Sequence, residues 1–366
     1  MEHINELSQI LQGSLQLNKA RLNCLSQIII SLFIVRTVNL AEIAQAFAGT
    51  TKLASNYRRL QRFFRDICFK NEIIAKINAL LFAPPESGWY LNLDRTNWQF
   101  GVVNINILML SLVWKGIAIP LMWSFLPKKG NSNTKERKAL LKRFIKLFGV
   151  TKIASLLMDR EFIGDDWLCW LSSQGINFTV RIKHNIKIAS QKEKMVAIRK
   201  LFGSLVPGYS RLLKGQRYLF KLSLWVGAMR LENKEWLIVV SNHDQDSLLE
   251  RYALRWQIET LFLCLKSRGF RLEETHLKDP ERLSTLLGIL SIAFSWAHKI
   301  GEWQHEQRPI KIKNHGRKEK SFFRLGLDII RSILIGIKSK ISYFLELLIP
   351  MQPLQCCKDH NLWCEG

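Results

Sequence analysis

The sequence predicts a mixed α/β fold that has an N-terminal helical region and a β-rich segment interrupting the sheet domain. Apolar residues recur at helical spacing through residues 1–82. After a Pro-containing loop the period changes to that of strands, and strands then alternate with helices over residues 89–182. Residues 183–242 alternate like short strands, with glycines between them. These three changes of period define the predicted architecture.

The chain is strongly basic, with 54 Lys and Arg against 30 Asp and Glu, a net charge of +24 over 366 residues. A protein this basic usually faces a polyanion, either nucleic acid or an anionic membrane surface. Apolar residues make up 48% of the chain, which excludes wholesale disorder. The apolar stretches are broken or too short to span a bilayer, which argues against a membrane protein. The composition therefore predicts a nucleic-acid partner.

The N-terminal region is predicted to bind DNA. Residues 40–66 have the layout of a helix-turn-helix, with a short helix, a turn that contains Gly49 and a basic second helix. The second helix carries Arg58, Arg59 and Arg62, whose guanidinium groups suit phosphates and base edges. An ordinary helical hairpin with a solvated basic face has the same pattern, and this alternative stays open.

Two predicted strands end in an aspartate. Asp94 closes the strand that begins at Trp89, and Asp159 closes the strand that begins at Lys152. A strand-terminal aspartate is often only a cap for the next turn. Two of them in a chain of this charge instead indicate a site at the sheet edge, because carboxylates hold the metal ions used in phosphoryl transfer.

A third acid lies on a helix predicted over residues 252–266. At 100° per residue, Tyr252, Arg255, Glu259 and Lys266 share one face of this helix. The simple interpretation is a solvated face with ion pairs between successive turns. The functional interpretation is a site where a metal-binding carboxylate meets cations that hold phosphates. Two metal ions need about three carboxylates, which the two aspartates and Glu259 would supply.

These residues resemble a known family. The four residues of the helical face follow the pattern Y-x2-R-x3-E-x6-K, which resembles the signature of bacterial insertion-sequence transposases. Asp94-Arg-Thr-Asn-Trp and Asp159-Arg-Glu-Phe resemble the two aspartate motifs of that family. The resemblance covers roughly residues 90–340. It implies an RNase H-like mixed sheet with flanking helices, and residues 183–242 resemble the insertion that this group carries before its glutamate helix.

The resemblance also implies an activity and its ligands. Asp94, Asp159 and Glu259 would hold two Mg²⁺ or Mn²⁺ ions, cut the transposon ends and join the 3′-hydroxyl to target DNA. The implied partner is double-stranded DNA, bound by a homodimer and with no membrane involved. Seven scattered Cys and the absence of a recognisable signal peptide predict a reduced cytoplasmic protein. The resemblance implies that it is bacterial and associated with the nucleoid. The alternatives are a nuclease of the same fold without strand transfer and a basic DNA-binding regulator.

Further residues are predicted to contact DNA. By resemblance, Arg255 and Lys266 hold phosphates and Tyr252 donates a hydrogen bond to one. Trp225, in the β-rich segment, would hold a base turned out of the stack, the alternative being that it fills the small core of that segment. Trp256 is expected to pack rather than stack on a base.

The predicted domains are five. They are a helical DNA-binding domain (1–82), the first part of the catalytic domain (89–182), the β-rich basic insertion (183–242), the catalytic domain completed by the Glu259 helix (243–306), and a basic C-terminal helical region with a tail (307–366). The tail holds Cys356, Cys357, His360 and Cys364, which have zinc-ligand chemistry but not the spacing of a standard zinc finger.

Overall fold

The computed structural model describes residues 2–189, 194–244, 246–314 and 316–355, so the Cys/His tail lies outside the described residues. The chain divides into two compact units. Unit 1 comprises residues 1–83, 98–105 and 261–366, and unit 2 comprises residues 84–97 and 106–260. This division differs from the predicted one after residue 260, because the helix that follows packs with the N-terminal helices.

Unit 1 begins with five helices. They are α1 (Glu2–Ser14), α2 (Lys19–Val35), α3 (Leu40–Gln45), α4 (Leu53–Asp66) and α5 (Asn71–Phe82). The side chain of Asn39 caps α3 by accepting a hydrogen bond from the Ala41 amide. Gly49, with a φ of 111°, lies in the turn before α4, where a positive φ favours glycine. The predicted helical region and the helix, turn and helix over 40–66 are therefore present.

The core of unit 1 is a long helix, α10 (Pro280–Gln307), which packs against α2, α5 and a later helix, α11 (Phe322–Ile335). Two glycines allow the close approach of α10 and α11. A Cβ on Gly301 would lie 1.8 Å from the Phe322 carbonyl oxygen, and one on Gly326 would lie 1.8 Å from the Ala297 carbonyl oxygen. The length and composition of α10 would allow it to cross a membrane, but its most apolar 18 residues are 89% buried, as in a core helix. A short helix, α12 (Ile341–Leu348), follows α11.

The sheet has the strand order β3-β2-β1-β4-β5-β11-β10-β8. Its first five strands and the two helices between them are β1 (Trp89–Phe100), β2 (Val103–Trp114), β3 (Ile117–Phe125), α6 (Thr134–Phe148), β4 (Ile153–Met158), α7 (Asp165–Ser173) and β5 (Phe178–Ile182). β4 is parallel to both β1 and β5, whereas β2 and β3 form the predicted antiparallel hairpin. The predicted mixed α/β fold class is confirmed.

The β-rich segment extends this same sheet. Its strands are β6 (Lys187–Ala189), β7 (Met195–Ala197), β8 (Ser210–Leu212), β9 (Arg217–Leu219), β10 (Leu222–Arg230) and β11 (Trp236–Ser241). β10 and β11 form an antiparallel hairpin, and β11 bonds to the outer edge of β5. Only β6 and β7 form a separate two-stranded sheet among the described residues.

Candidate active site

The two aspartates predicted to end their strands are neighbours in unit 2. The prediction is wrong for Asp94, because β1 continues past it to Phe100, whereas Asp159 does follow the last residue of β4. In the parallel pair of β1 and β4, Leu93 is paired with Met158, and Asp94 and Asp159 are the residues that follow this pair along the chain. Adjacent strands lie about 4.8 Å apart, which brings the two carboxylates to the same point of the sheet. The register of the two strands therefore creates the paired acid that their sequence positions predict.

The segment that carries Glu259 is more irregular than the single helix predicted from its sequence. It consists of α8 (Leu248–Ala253), a 3₁₀ turn at Leu254–Trp256, α9 (Gln257–Leu263) and a π-helical turn at Cys264–Arg268. A 3₁₀ turn winds more tightly than an α-helix and a π turn more loosely, so a constant 100° per residue does not hold here. Such irregular turns are frequent at functional sites.

Arg255 links two of the three predicted catalytic acids. Its Nη1 donates to Asp94 Oδ2 at 3.1 Å, and its Nη2 donates to Glu259 Oε1 at 2.5 Å. The Arg255 side chain is only 4% exposed, whereas that of Glu259 is 53% exposed. The 3₁₀ turn turns Arg255 inward, so a buried cation lies between the carboxylates of β1 and α9.

The electrostatics of the site centre on Asp94. Burial raises the pKa of Asp94 to about 7, although Arg255 and the Arg95 amide favour its charged form. The negative charges of Asp159 and Glu161 raise the pKa further. Burial also opposes the charge of Arg255, but its contacts with Tyr252, Glu259 and Asp94 outweigh this and raise the pKa of Arg255 above its ordinary value. The site thus combines an acid that resists ionisation with a firmly charged guanidinium.

Tyr252 contacts the second aspartate. Its hydroxyl donates to Asp159 Oδ1 at 3.3 Å, and burial raises the pKa of Tyr252 above its ordinary range. The ring is fully buried in a cluster with Leu237, Val239 and Leu248. As the chain is folded, Tyr252 therefore orients a carboxylate, and its predicted contact with a phosphate stays a prediction.

A second layer of side chains holds the two aspartate motifs together. Arg95, next to Asp94, donates from Nε and Nη2 to the two carboxylate oxygens of Glu161 at 3.2 Å each. Arg95 Nη1 also donates to Asn106 Oδ1 at 3.0 Å. Arg137, which is buried, donates to the Glu161 carbonyl oxygen at 3.0 Å. This network was not predicted from the sequence, although Arg95 immediately after Asp94 and Glu161 two residues after Asp159 were a usable signal.

The donor chemistry of the site suits divalent ions, because carboxylate oxygens are the ligands that Mg²⁺ and Mn²⁺ prefer. Over the residues that the structure describes, however, no group of three His, Cys, Asp or Glu side chains is close enough to hold an ion as it stands. An ion held by Asp94, Asp159 and Glu259 would have to replace the Arg255 guanidinium between Asp94 and Glu259. The cation already present there indicates that this position favours positive charge.

Comparison with known proteins adds a family match. Residues 125–296 match the family model of the transposase DDE domain. The DDE-domain match covers just under half of the chain and supports a DDE transposase. It contains Asp159 and Glu259, whereas Asp94 precedes it, so that the proposed role of Asp94 rests on its sequence motif and on its position beside Asp159.

No curated protein matches the chain. One solved structure that aligns with the chain is a piggyBac transposase synaptic complex with hairpin DNA. The alignment covers 96% of this chain and 83% of the piggyBac chain, with a TM-score of 0.45 and 11% sequence identity.

Two tryptophans within the DDE-domain match differ in exposure. Trp225 on β10 is partly buried and packs against the cluster that contains Tyr252. Its role in holding a base stays a prediction. The contact with this cluster favours the alternative, in which Trp225 fills the small core of the β-rich segment. Trp256 was expected to pack, but it is 40% exposed, with its ring centroid 5.7 Å from the Arg255 guanidinium. The 3₁₀ turn that buries Arg255 leaves its neighbour on the surface.

The remaining predicted DNA contacts lie in unit 1. Lys266, in the π turn, forms an ion pair with Glu273 at 2.8 Å and lies over the Trp98 ring. On α4, Arg58 and Arg62 are exposed. Arg59 instead donates to Asn23 Oδ1 at 2.9 Å. Arg59 therefore has a contact within the protein that Arg58 and Arg62 do not have. The predicted DNA contacts of Lys266 and of these three arginines stay predictions.

Proposed function

We propose that the protein is a DNA transposase that cuts transposon ends and joins the freed 3′-hydroxyl to target DNA. The observation that carries this proposal is the juxtaposition of Asp94 and Asp159 on parallel strands, with Arg255 joining Asp94 to Glu259. Paired carboxylates of this kind serve metal-dependent phosphoryl transfer. The DDE-domain match and the net charge of +24 favour DNA as the substrate.

In this proposal Asp94, Asp159 and Glu259 would hold two Mg²⁺ or Mn²⁺ ions. Bound ions would supply the Lewis acidity that activates the attacking oxygen and stabilises the leaving oxygen. Tyr252 keeps Asp159 oriented through its hydroxyl. Arg255, which now joins Asp94 to Glu259, would then neutralise the charge of the phosphate. The Arg95–Glu161 pair fixes the spacing of the two aspartate motifs.

The wider proposal concerns partners and location. Because two transposon ends must be cut together, we propose a homodimer on double-stranded DNA, acting on bacterial DNA in the cytoplasm. Inverted repeats flanking the gene, bordered by short duplications, would support both the insertion-sequence origin and the substrate.

The test is cleavage and strand transfer on duplexes that carry those flanking repeats. Asp94→Ala, Asp159→Ala and Glu259→Ala should each abolish cutting in Mg²⁺ while retaining DNA binding, because the carboxylates serve the ions and not the phosphates. Asp166→Ala removes an exposed carboxylate of the same unit and should cut normally. Near wild-type cutting by any triad variant would remove that residue from the site.

A second assay separates transposition from simple hydrolysis. A pre-cut end with a free 3′-hydroxyl is offered together with target DNA, and joined products are measured. We expect joining that depends on Asp94, Asp159 and Glu259. Cutting without any joining would instead identify a nuclease, and DNA binding without metal-dependent cutting would identify a regulator.

A further inference from the structure

Unit 1 contains a basic groove of about 660 Å³. None of the predicted catalytic acids lines it. One wall is α4, which contributes Arg58, Arg62 and Arg65. The other wall is the connection that leads into α10, which contributes His276 and Arg282. Among the described residues, no Asp or Glu lines this groove. Its volume is that of a small-molecule site, but its lining is cationic rather than apolar.

The arrangement of α4 explains which of its arginines face the groove. Positions 58, 62 and 65 are four and three residues apart, so they form one stripe along the helix. Arg59 lies about 100° away from Arg58 and turns towards Asn23 and the Phe47 ring. The groove therefore divides the predicted basic face of α4 into a cationic wall and a packing side.

The charge of the groove is not neutralised from within. Within the described part of the chain, the side chains of Arg58 and Arg282 form no hydrogen bond or ion pair. Arg62 donates only to the Arg58 carbonyl oxygen at 3.4 Å, whereas Arg65 is paired with Asp66 at 2.7 Å. Like charges facing each other across a groove are unfavourable unless an anion lies between them.

The cationic surface continues beyond the groove. The His276 ring, which lines it, stacks on Phe100 with a centroid separation of 5.3 Å. Lys278 lies 5.4 Å from the centroid of the same Phe100 ring. A small anion needs no such extension, whereas a polyanion follows a track of cations and aromatic rings.

We propose that this groove holds the sugar–phosphate backbone of one strand of a DNA duplex, with Arg58 and Arg62 on one side and Arg282 on the other. This rests on the proposed function. The DNA-binding region was predicted to end at residue 82. The proposal extends it to residues that follow Glu259 in the chain, among them Arg282. The exposed edge of α4 is then free to enter the adjacent major groove.

The experiment measures the salt dependence of binding for the full chain, using a fluorescein-labelled 30-base-pair DNA duplex and EDTA to prevent cutting. Arg282→Ala should reduce the slope of log affinity against log salt by about 0.9, which corresponds to roughly eightfold weaker binding at 0.1 M salt. Arg58→Ala, on the other wall, should do the same. Arg282→Lys should keep the slope, because a phosphate contact needs the charge.

The matched control is Arg308→Ala. Arg308 is exposed at the far end of α10, about 39 Å from Arg282 along the helix, and its loss changes the net charge equally. It should leave the slope unchanged. If Arg282→Ala and Arg58→Ala match Arg308→Ala while the wild type binds the duplex in EDTA and cuts it when Mg²⁺ is added, the groove proposal is wrong and the proposed function stands. A wild type that binds no duplex would overturn both.

Discussion

Metal binding to the DNA-free protein should release a proton from Asp94. Burial raises the pKa of this carboxyl from 3.8 to about 7. A metal ligand must be ionised, so an ion that binds Asp94 has to displace its proton. With a pKa of about 7, Asp94 is about 90% protonated at pH 6 and about 10% at pH 8. Proton release should therefore fall from about 0.9 to about 0.1 per protein over this range.

The assay is calorimetric titration with Mn²⁺ in pairs of buffers that differ in ionisation enthalpy. The apparent affinity should rise about tenfold between pH 6 and pH 8, because the competing proton is lost. Asp94→Asn keeps an oxygen ligand without a titrating proton and serves as the control, in which the pH dependence of release should disappear. Equal proton release at pH 6 and pH 8 in the wild type would refute this account of the site.

The same shift has a consequence for stability. A carboxyl whose pKa is raised on folding binds a proton more tightly in the folded state, so stability falls as the pH rises from about 4 through 7. Asp94→Asn should accordingly raise the melting temperature of the metal-free protein more at pH 8 than at pH 5. Thermal melting followed by circular dichroism, with EDTA present, measures this difference. A gain that is the same at both pH values would contradict the assignment.

Three further features are tested by substitution. Glu161→Gln removes the charged partner of Arg95 and should cost about 1.5–3 kcal/mol of unfolding free energy in urea and lower cleavage, whereas unchanged values would mean that the pair is dispensable. Gly301→Ala should be destabilising by about 1–3 kcal/mol, because its Cβ meets backbone of α11, whereas Gly288→Ala on the same helix meets only side chains at 3.4 Å and should be near neutral. Trp225→Ala should reduce the 2-aminopurine fluorescence rise at the terminal bases on cleavage, and a full rise in a folded variant would exclude base holding.

The sequence predicted the parts of the site that depend on strand and helix period. A run of apolar residues that ends in a carboxylate predicted a strand end at Asp94 and at Asp159. This holds for Asp159, which follows β4, but not for Asp94, because β1 continues to Phe100. The mixed sheet and the N-terminal helices follow from the same periodicity. The adjacency of the two aspartates needed the register of β1 and β4, which periodicity does not determine.

Other features depend on tertiary contacts and were not accessible to pattern analysis. The 3₁₀ and π turns around Glu259 break the constant helical rotation, so the inward turn of Arg255 and the exposure of Trp256 could not be read from spacing. The groove between α4 and the start of α10 joins residues more than 200 positions apart in the sequence. The count of basic residues predicted a positively charged surface but not the position of this groove.

The pairing of β11 with β5 protects the protein from self-association. Without residues 183–242, the backbone groups of Val180 and Ile182 that now bond to Val240 and Ile238 would form an open strand edge with apolar side chains. Open apolar edges recruit strands from other molecules. The basic segment therefore covers the open edge of the sheet that carries Asp94 and Asp159 as well as extending it, and its removal should yield aggregates rather than a smaller folded protein.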